Sequence, residues 1–241
     1  MQSKATEVVK PVAVGGFDLA VLLSTNDIEP RVQRHLVRVY VTLAAAVGAA
    51  AAGVVFDIAC GLAGYTTAFL VFVLVLALYL LPKAKFAQRL CVLLTLATCW
   101  GANLGGLVQH ALATDASIVA MAFVGSTIVF GCFTLSALLE RRRTYLFLGA
   151  FAGSAILGLV LVALVNVFVR SAAMYSLELY GGLLLFCFYV LFDTQLIVEK
   201  ASSGDDDVVG HAFELFLDFL NLFVRILIIL LKKRADDDSV V

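Results

Sequence analysis

The chain has 241 residues, 62% of them hydrophobic, and a mean hydropathy of +1.02. A water-soluble core of this size could not hide so much apolar surface, so composition points to an integral membrane protein of helical type. A formal net charge of −1 says little about partners in a membrane protein, but the lack of a basic stripe interleaved with aromatics argues against nucleic acid. The length leaves room for one bundle and no large soluble domain.

Residues 1–35 read as a cytosolic N-terminal segment. Asp18, Asp27 and Glu29 interrupt it and no apolar stretch ends in a small-residue cleavage site, so no cleaved signal peptide is expected. Hydrophobic runs then fall at 36–56, 65–81, 90–108, 118–139, 145–167, 179–198 and 213–231. Most approach the roughly 20 residues needed to cross a hydrocarbon core of about 30 Å. Together they predict a seven-helix transmembrane domain over 36–231, followed by a short charged tail, 232–241. Pro82 closes the second run, and no proline lies inside any of the seven. Small residues recur at four-residue spacing (Ala45, Ala49, Gly53; Gly101, Gly105; Gly149, Gly153), which suits close helix packing in lipid.

Lys4, Lys10, Arg31, Arg34 and Arg38 precede the first run. Lys83, Lys85 and Arg89 lie between runs two and three, and Arg141, Arg142 and Arg143 between four and five. The intervening loops carry only Arg170, so the positive-inside rule places the N-terminus in the cytosol. Seven full crossings would leave Lys232, Lys233 and Arg234 on the far side, against that rule. A re-entrant last segment would keep them in the cytosol, and the pattern leaves both geometries open, with a central seventh helix preferred.

Cys60, Cys91, Cys99, Cys132 and Cys187 are odd in number, scattered and without a C-x-x-C pair, and are expected to be reduced, buried packing residues. His35, His110 and His211 stand alone without metal-ligand spacing, although His211 is near enough in sequence to Glu214 to tune it. The run Asp205–Asp207 reads as a solvated, flexible acidic stretch. Glu140 to Arg143 reads as a positive-inside anchor, with a lipid headgroup site as the alternative.

Chemistry concentrates in the last two runs. Asp193 interrupts the sixth, where an isolated carboxylate costs about 2.5–3.5 kcal/mol on insertion scales. Glu214, Asp218, Asn221 and Arg225 in the seventh are spaced four, three and four apart, which is one helical stripe. One hydrophilic connection separates Asp193 from Asp218, so the two belong to adjacent antiparallel helices at similar depth. Carboxyls within hydrogen-bond reach cannot both ionise cheaply, so such a pair shares a proton. Ionised, its oxygens could hold Ca²⁺ transiently; protonated, they would bind each other. Glu214 would add negative potential to a cytosolic mouth or sit at the headgroups. Arg225 would compensate a buried carboxylate or snorkel outward, and Asn221 would hydrogen-bond across helices.

The segment from Phe133 to Gly149 (FTLSALLERRRTYLFLG) and that from Leu191 to Lys200 (LFDTQLIVEK) resemble the Bax inhibitor-1 group of the transmembrane Bax inhibitor motif family. So do Pro30 to Tyr40, with Val32, Gln33, His35 and Leu36, and His211 to Lys232. The resemblance runs from about residue 30 through nearly the whole chain. It implies an all-α fold whose last helix is central and wrapped by the other six, residence in the endoplasmic reticulum membrane, a pH-sensitive Ca²⁺ leak, and suppression of programmed cell death. It further implies that Asp193 and Asp218 form the pH-responsive pair, with Glu214 where many relatives have aspartate. Two features depart from the pattern: Gly106 stands where relatives often have proline, and the tail KKRADDDSVV replaces a lysine-rich one tied to calmodulin binding.

The leading expectation is thus a Ca²⁺ leak channel governed by protonation of Asp193 and Asp218, with lipid, Ca²⁺ and protons as partners and no cofactor. Alternatives are a membrane scaffold acting through cell-death regulators of the Bcl-2 type, and a proton-coupled Ca²⁺ exchanger. An enzyme is not expected: neither acid sits in a Gly-x-Gly-Asp motif, and no G-x-S-x-G elbow is present.

Overall fold

The computed structural model describes residues 29–140 and 148–238, in seven helices. They are α1 (Pro30–Cys60), α2 (Tyr65–Leu80), α3 (Phe86–Thr114), α4 (Ala116–Leu139), α5 (Leu148–Val169), α6 (Ala172–Ser202) and α7 (Val208–Asp238). Five segments are long and apolar enough to cross a bilayer: α1, α3, α4, residues Phe151–Val169 of α5, and α6. This is a multi-pass membrane protein. Arg141 to Arg143 lie outside the described residues.

Local chemistry sets the helix ends. Pro30 opens α1, where its missing N–H costs nothing. Gly61 closes α1 in the left-handed region at φ 66°, its N–H returning to the Asp57 carbonyl. Asp115 joins α3 to α4 by accepting a 2.8 Å hydrogen bond from the Ser117 N–H, and that bonding holds its carboxyl below the usual range.

In lipid no hydrophobic force pulls helices together, so small residues decide where backbones meet. The α1–α3 crossing is the clearest case. A Cβ on Gly101 would lie 1.9 Å from the Ala50 carbonyl oxygen, and one on Gly53 would lie 2.0 Å from that of Thr98. Gly149 similarly makes room for the Phe192 ring, whereas Gly153 faces open space.

The last helix lies at the centre. It packs against α1, α3, α4 and α6, and its Phe213 meets Tyr79 of α2 edge-on. Phe219 meets Phe123 and Phe130 of α4 in the same manner. Leu215, Phe216, Leu222 and Leu227 are fully buried. By contrast α5 packs mainly on α6 and turns Leu157, Leu161 and Phe168 outward. A helix bearing four polar residues needs such protein cover, since lipid offers its side chains no partner.

Three expectations change. Helix α7 runs unbroken past Leu231 through the charged segment to Asp238. At about 1.5 Å per residue its 31 residues span roughly 46 Å. Its start lies near Arg31, Lys83 and Arg89, and its far end places Lys232 3.5 Å from Ser176 at the beginning of α6. The helix is therefore one continuous element running antiparallel beside α6 from the basic end to the start of α6. Secondly, all five cysteines are free, but Cys60, Cys91 and Cys132 are exposed on the outside of the bundle and only Cys187 is buried. Thirdly, α1 begins at Pro30, six residues before the apolar run.

Replacing Gly101 with valine should destabilise the protein by about 3 kcal/mol through overpacking. Gly48→Ala, with nothing within 4 Å of the added methyl, should leave the melting temperature in detergent micelles unchanged or slightly raised.

Candidate functional site

The polar stripe of α7 faces α6 along an antiparallel seam. Two turns beyond Asp218 stands Arg225; two turns before its partner Asp193 stands Phe186, over which the Arg225 guanidinium lies, 4.7 Å from the ring centre. Two turns after Asp193 comes Lys200, which pairs with Glu214. Seven residues on along α7 thus meet seven back along α6, and four back along α7 meet seven on along α6, so that polar groups meet polar or aromatic ones.

At the middle of the seam the Asp193 and Asp218 carboxyls are neighbours close enough to act on each other electrostatically. Asp218 is 3% exposed, and its Oδ2 has no hydrogen-bond partner among the described residues. Asp193, on the adjoining turn of α6, is partly exposed. A buried carboxylate oxygen without a donor is costly, which a proton or a cation at the pair would relieve. Glu214 and Lys200 both lie within electrostatic reach of Asp193. The Lys200 amine donates to both Glu214 oxygens, at 3.1 and 3.3 Å.

Other members of the stripe do something different from expectation. Asn221 does not bond across helices: its amide donates to the Leu217 carbonyl at 2.8 Å and its oxygen accepts from Arg225 at 3.0 Å, all within α7. Residues four apart on one helix are close enough to satisfy a short amide before a neighbouring helix can. Arg225 reaches neither Asp193 nor Asp218. It packs where Gly182 leaves space, with Glu178 as the acid in electrostatic range.

At the basic end of the bundle, two features were invisible in the sequence. The run Asp205–Asp207 is a clasp and not a free solvated stretch. Asp205 accepts from Lys83 at 2.7 Å, Asp206 from Arg31 at 2.9 Å, and Asp207 from Arg89. Lys83 lies before α3, and its hydrogen bond holds the Asp205 carboxyl below the ordinary carboxylate range. The third pair is the buried one, with side chains 6% and 9% exposed. Asp207 also caps α7, accepting from the Gly210 N–H at 2.9 Å. Just beneath, His211 does not engage Glu214. Its Nδ1 lies 2.9 Å from Nε2 of His35 on α1, with the rings edge-to-face, so one nitrogen donates and the other accepts. Neither feature has a sequence signal, since the partners are separated by 118 to 176 residues.

Asp57 is a further buried acid that the sequence reading passed over. Its carboxylate accepts from the Ala63 N–H, closing the α1–α2 connection, and it packs on Gly105. That is a capping role. Among the described residues no three His, Cys, Asp or Glu side chains converge as a metal cage.

A bundle of apolar helices around a more polar, largely covered last helix defines a multi-pass membrane protein. Residues 32–235 match the family described as inhibitor of apoptosis-promoting Bax1. The chain is 41% identical over 218 residues to Bax inhibitor 1 of Arabidopsis thaliana, covering 90% of this chain and 88% of that relative. It is 38% identical over 225 residues to Bax inhibitor 1 of Oryza sativa subsp. japonica, covering 93% and 90%. Against Bax inhibitor 1 of Homo sapiens the identity is 40% over 219 residues, covering 89% and 92%. The chain belongs to the Bax inhibitor 1 family.

Asp207→Asn keeps the helix cap but leaves Arg89 buried without its counter-charge, and should cost about 3–5 kcal/mol. Asp206→Asn removes an exposed pair and should cost less than about 1 kcal/mol. Thermal unfolding of the two variants in the same detergent measures the difference.

Proposed function

We propose that the protein is a pH-sensitive Ca²⁺ leak channel of the endoplasmic reticulum membrane that suppresses programmed cell death, with Asp193 and Asp218 as its titrating site. The observation that carries this reading is the meeting of the two carboxyls inside the bundle, one oxygen of Asp218 being buried and unpartnered. Family membership supports the cell-death role, and the names of the relatives describe inhibitors of Bax. The basic end is read as cytosolic by the positive-inside rule.

The chemistry follows from the geometry. A proton shared between the carboxyls joins α6 to α7 and satisfies both acids without a cation. Removing it leaves two oxygens facing the same space, which repel unless a cation enters. Ca²⁺ takes six to eight oxygen ligands in flexible geometry. Two acids on which no third acid, histidine or cysteine converges as a cage among the described residues suit passage of a partly hydrated ion better than permanent binding. Glu214, one turn before Asp218, extends the negative path toward the basic end.

Reconstituted in liposomes, the protein should pass Ca²⁺ in a pH-dependent manner, and Asp218→Asn should flatten that dependence several-fold. Flux indistinguishable from empty vesicles would remove the reading. In cells challenged with a death stimulus, the wild-type chain should raise survival and Asp218→Asn should lose most of that protection. Full protection by the amide variant would favour a scaffold acting through protein partners.

A further inference from the structure

We infer that the Lys200–Glu214 pair is a plug at the floor of a cytosolic vestibule, and that Lys200 is a residue limiting cation entry to Asp193 and Asp218. A cavity of about 200 Å³ opens at the basic end of α7, lined by Lys83, Arg89, Lys200, Asp205, Asp207 and Glu214 among others. Its rim is held by Lys83 to Asp205 and by Arg89 to Asp207. Its three cations and three acids form three pairs, so the rim and floor are electrically balanced.

The floor differs from the rim in what lies beneath it. Lys200 and Glu214 are each about one-third exposed (32% and 33%), whereas Asp218, one turn further along α7, is 3% exposed. The pair therefore marks the change from wetted to buried acid. Lys200 occupies both Glu214 oxygens, which denies them to an arriving divalent ion. Its charge acts on Asp193 as well, so an ion approaching the acid pair meets a fixed ammonium first. Like charge at a narrow, partly desolvated entrance is a barrier that water only partly screens. A lysine bent away from Glu214 would expose a row of three acids, Glu214, Asp218 and Asp193.

This inference rests on the proposed cation path, and the test separates the two. Ca²⁺ entry into liposomes of neutral phosphatidylcholine would be measured for wild type, Asp218→Asn, Lys200→Met and the charge-keeping Lys200→Arg. Loss of flux above empty vesicles in the wild type would defeat the underlying path whatever the other variants do. With wild-type flux present and altered by Asp218→Asn, Lys200→Met should raise the initial rate several-fold, whereas Lys200→Arg, which keeps the charge, should stay within about twofold of wild type. A Lys200→Met rate equal to or below wild type, with an unchanged melting temperature, would overturn the plug. If Lys200→Met melts too early to be assayed, Lys200→Arg keeps the charge and should keep the low wild-type rate; a several-fold increase in that variant would overturn it equally.

Discussion

Charge in a low-dielectric interior has to be answered by another group, and the rest of this structure follows from where those answers lie. Helix α7 carries Glu214, Asp218, Asn221 and Arg225 on one face; Asn221 is satisfied within α7, and α6 meets the other three with Lys200, Asp193 and the Phe186 ring beside Gly182. Only one of these meetings joins like with like. Acid against acid at the middle of the seam cannot be settled by the protein's own charges, and it is the place where a proton or a cation would make the difference.

The same constraint explains the architecture around the seam. A polar helix cannot face acyl chains, so α7 takes the centre and the apolar helices surround it. Close approach comes from small residues where α1 crosses α3, while the surfaces of α2 and α5 keep large side chains such as Phe72 and Leu161 outward. At the basic end the α6–α7 connector is fixed by ion pairs to α1, to α3 and to the segment before α3. Those pairs set where α7 begins, and with it the depth of every polar group below.

Much of this was legible in the sequence. The spacing of the α7 polar residues puts them on one face whatever surrounds them, and a single short connection brings Asp193 opposite Asp218 without knowledge of the other helices. Glu214 could be placed one turn before Asp218 on that face for the same reason. The histidines and the connector aspartates were not legible. His35 and His211 meet only because α1 packs on α7, and the cations that hold Asp205, Asp206 and Asp207 come from segments remote in the chain. A triple aspartate looks solvated when its partners are out of view. Asn221 was misplaced because an amide can be satisfied within its own helix, a choice that spacing does not decide. That the tail continues the helix was not legible either, because the charged residues from Lys232 onward read as the end of an apolar run, whereas the helix goes on past Ser176 to Asp238.

A hydrogen held jointly by two carboxyls on the final hairpin underlies everything proposed for this molecule. Isotope-edited infrared spectroscopy of the protein in lipid nanodiscs, titrated with pH, would observe it directly. One protonated-carboxyl band per chain is expected over part of the titration, altered by neutralising either Asp193 or Asp218 alone. Two independent titrations, each untouched by loss of the other acid, would contradict it.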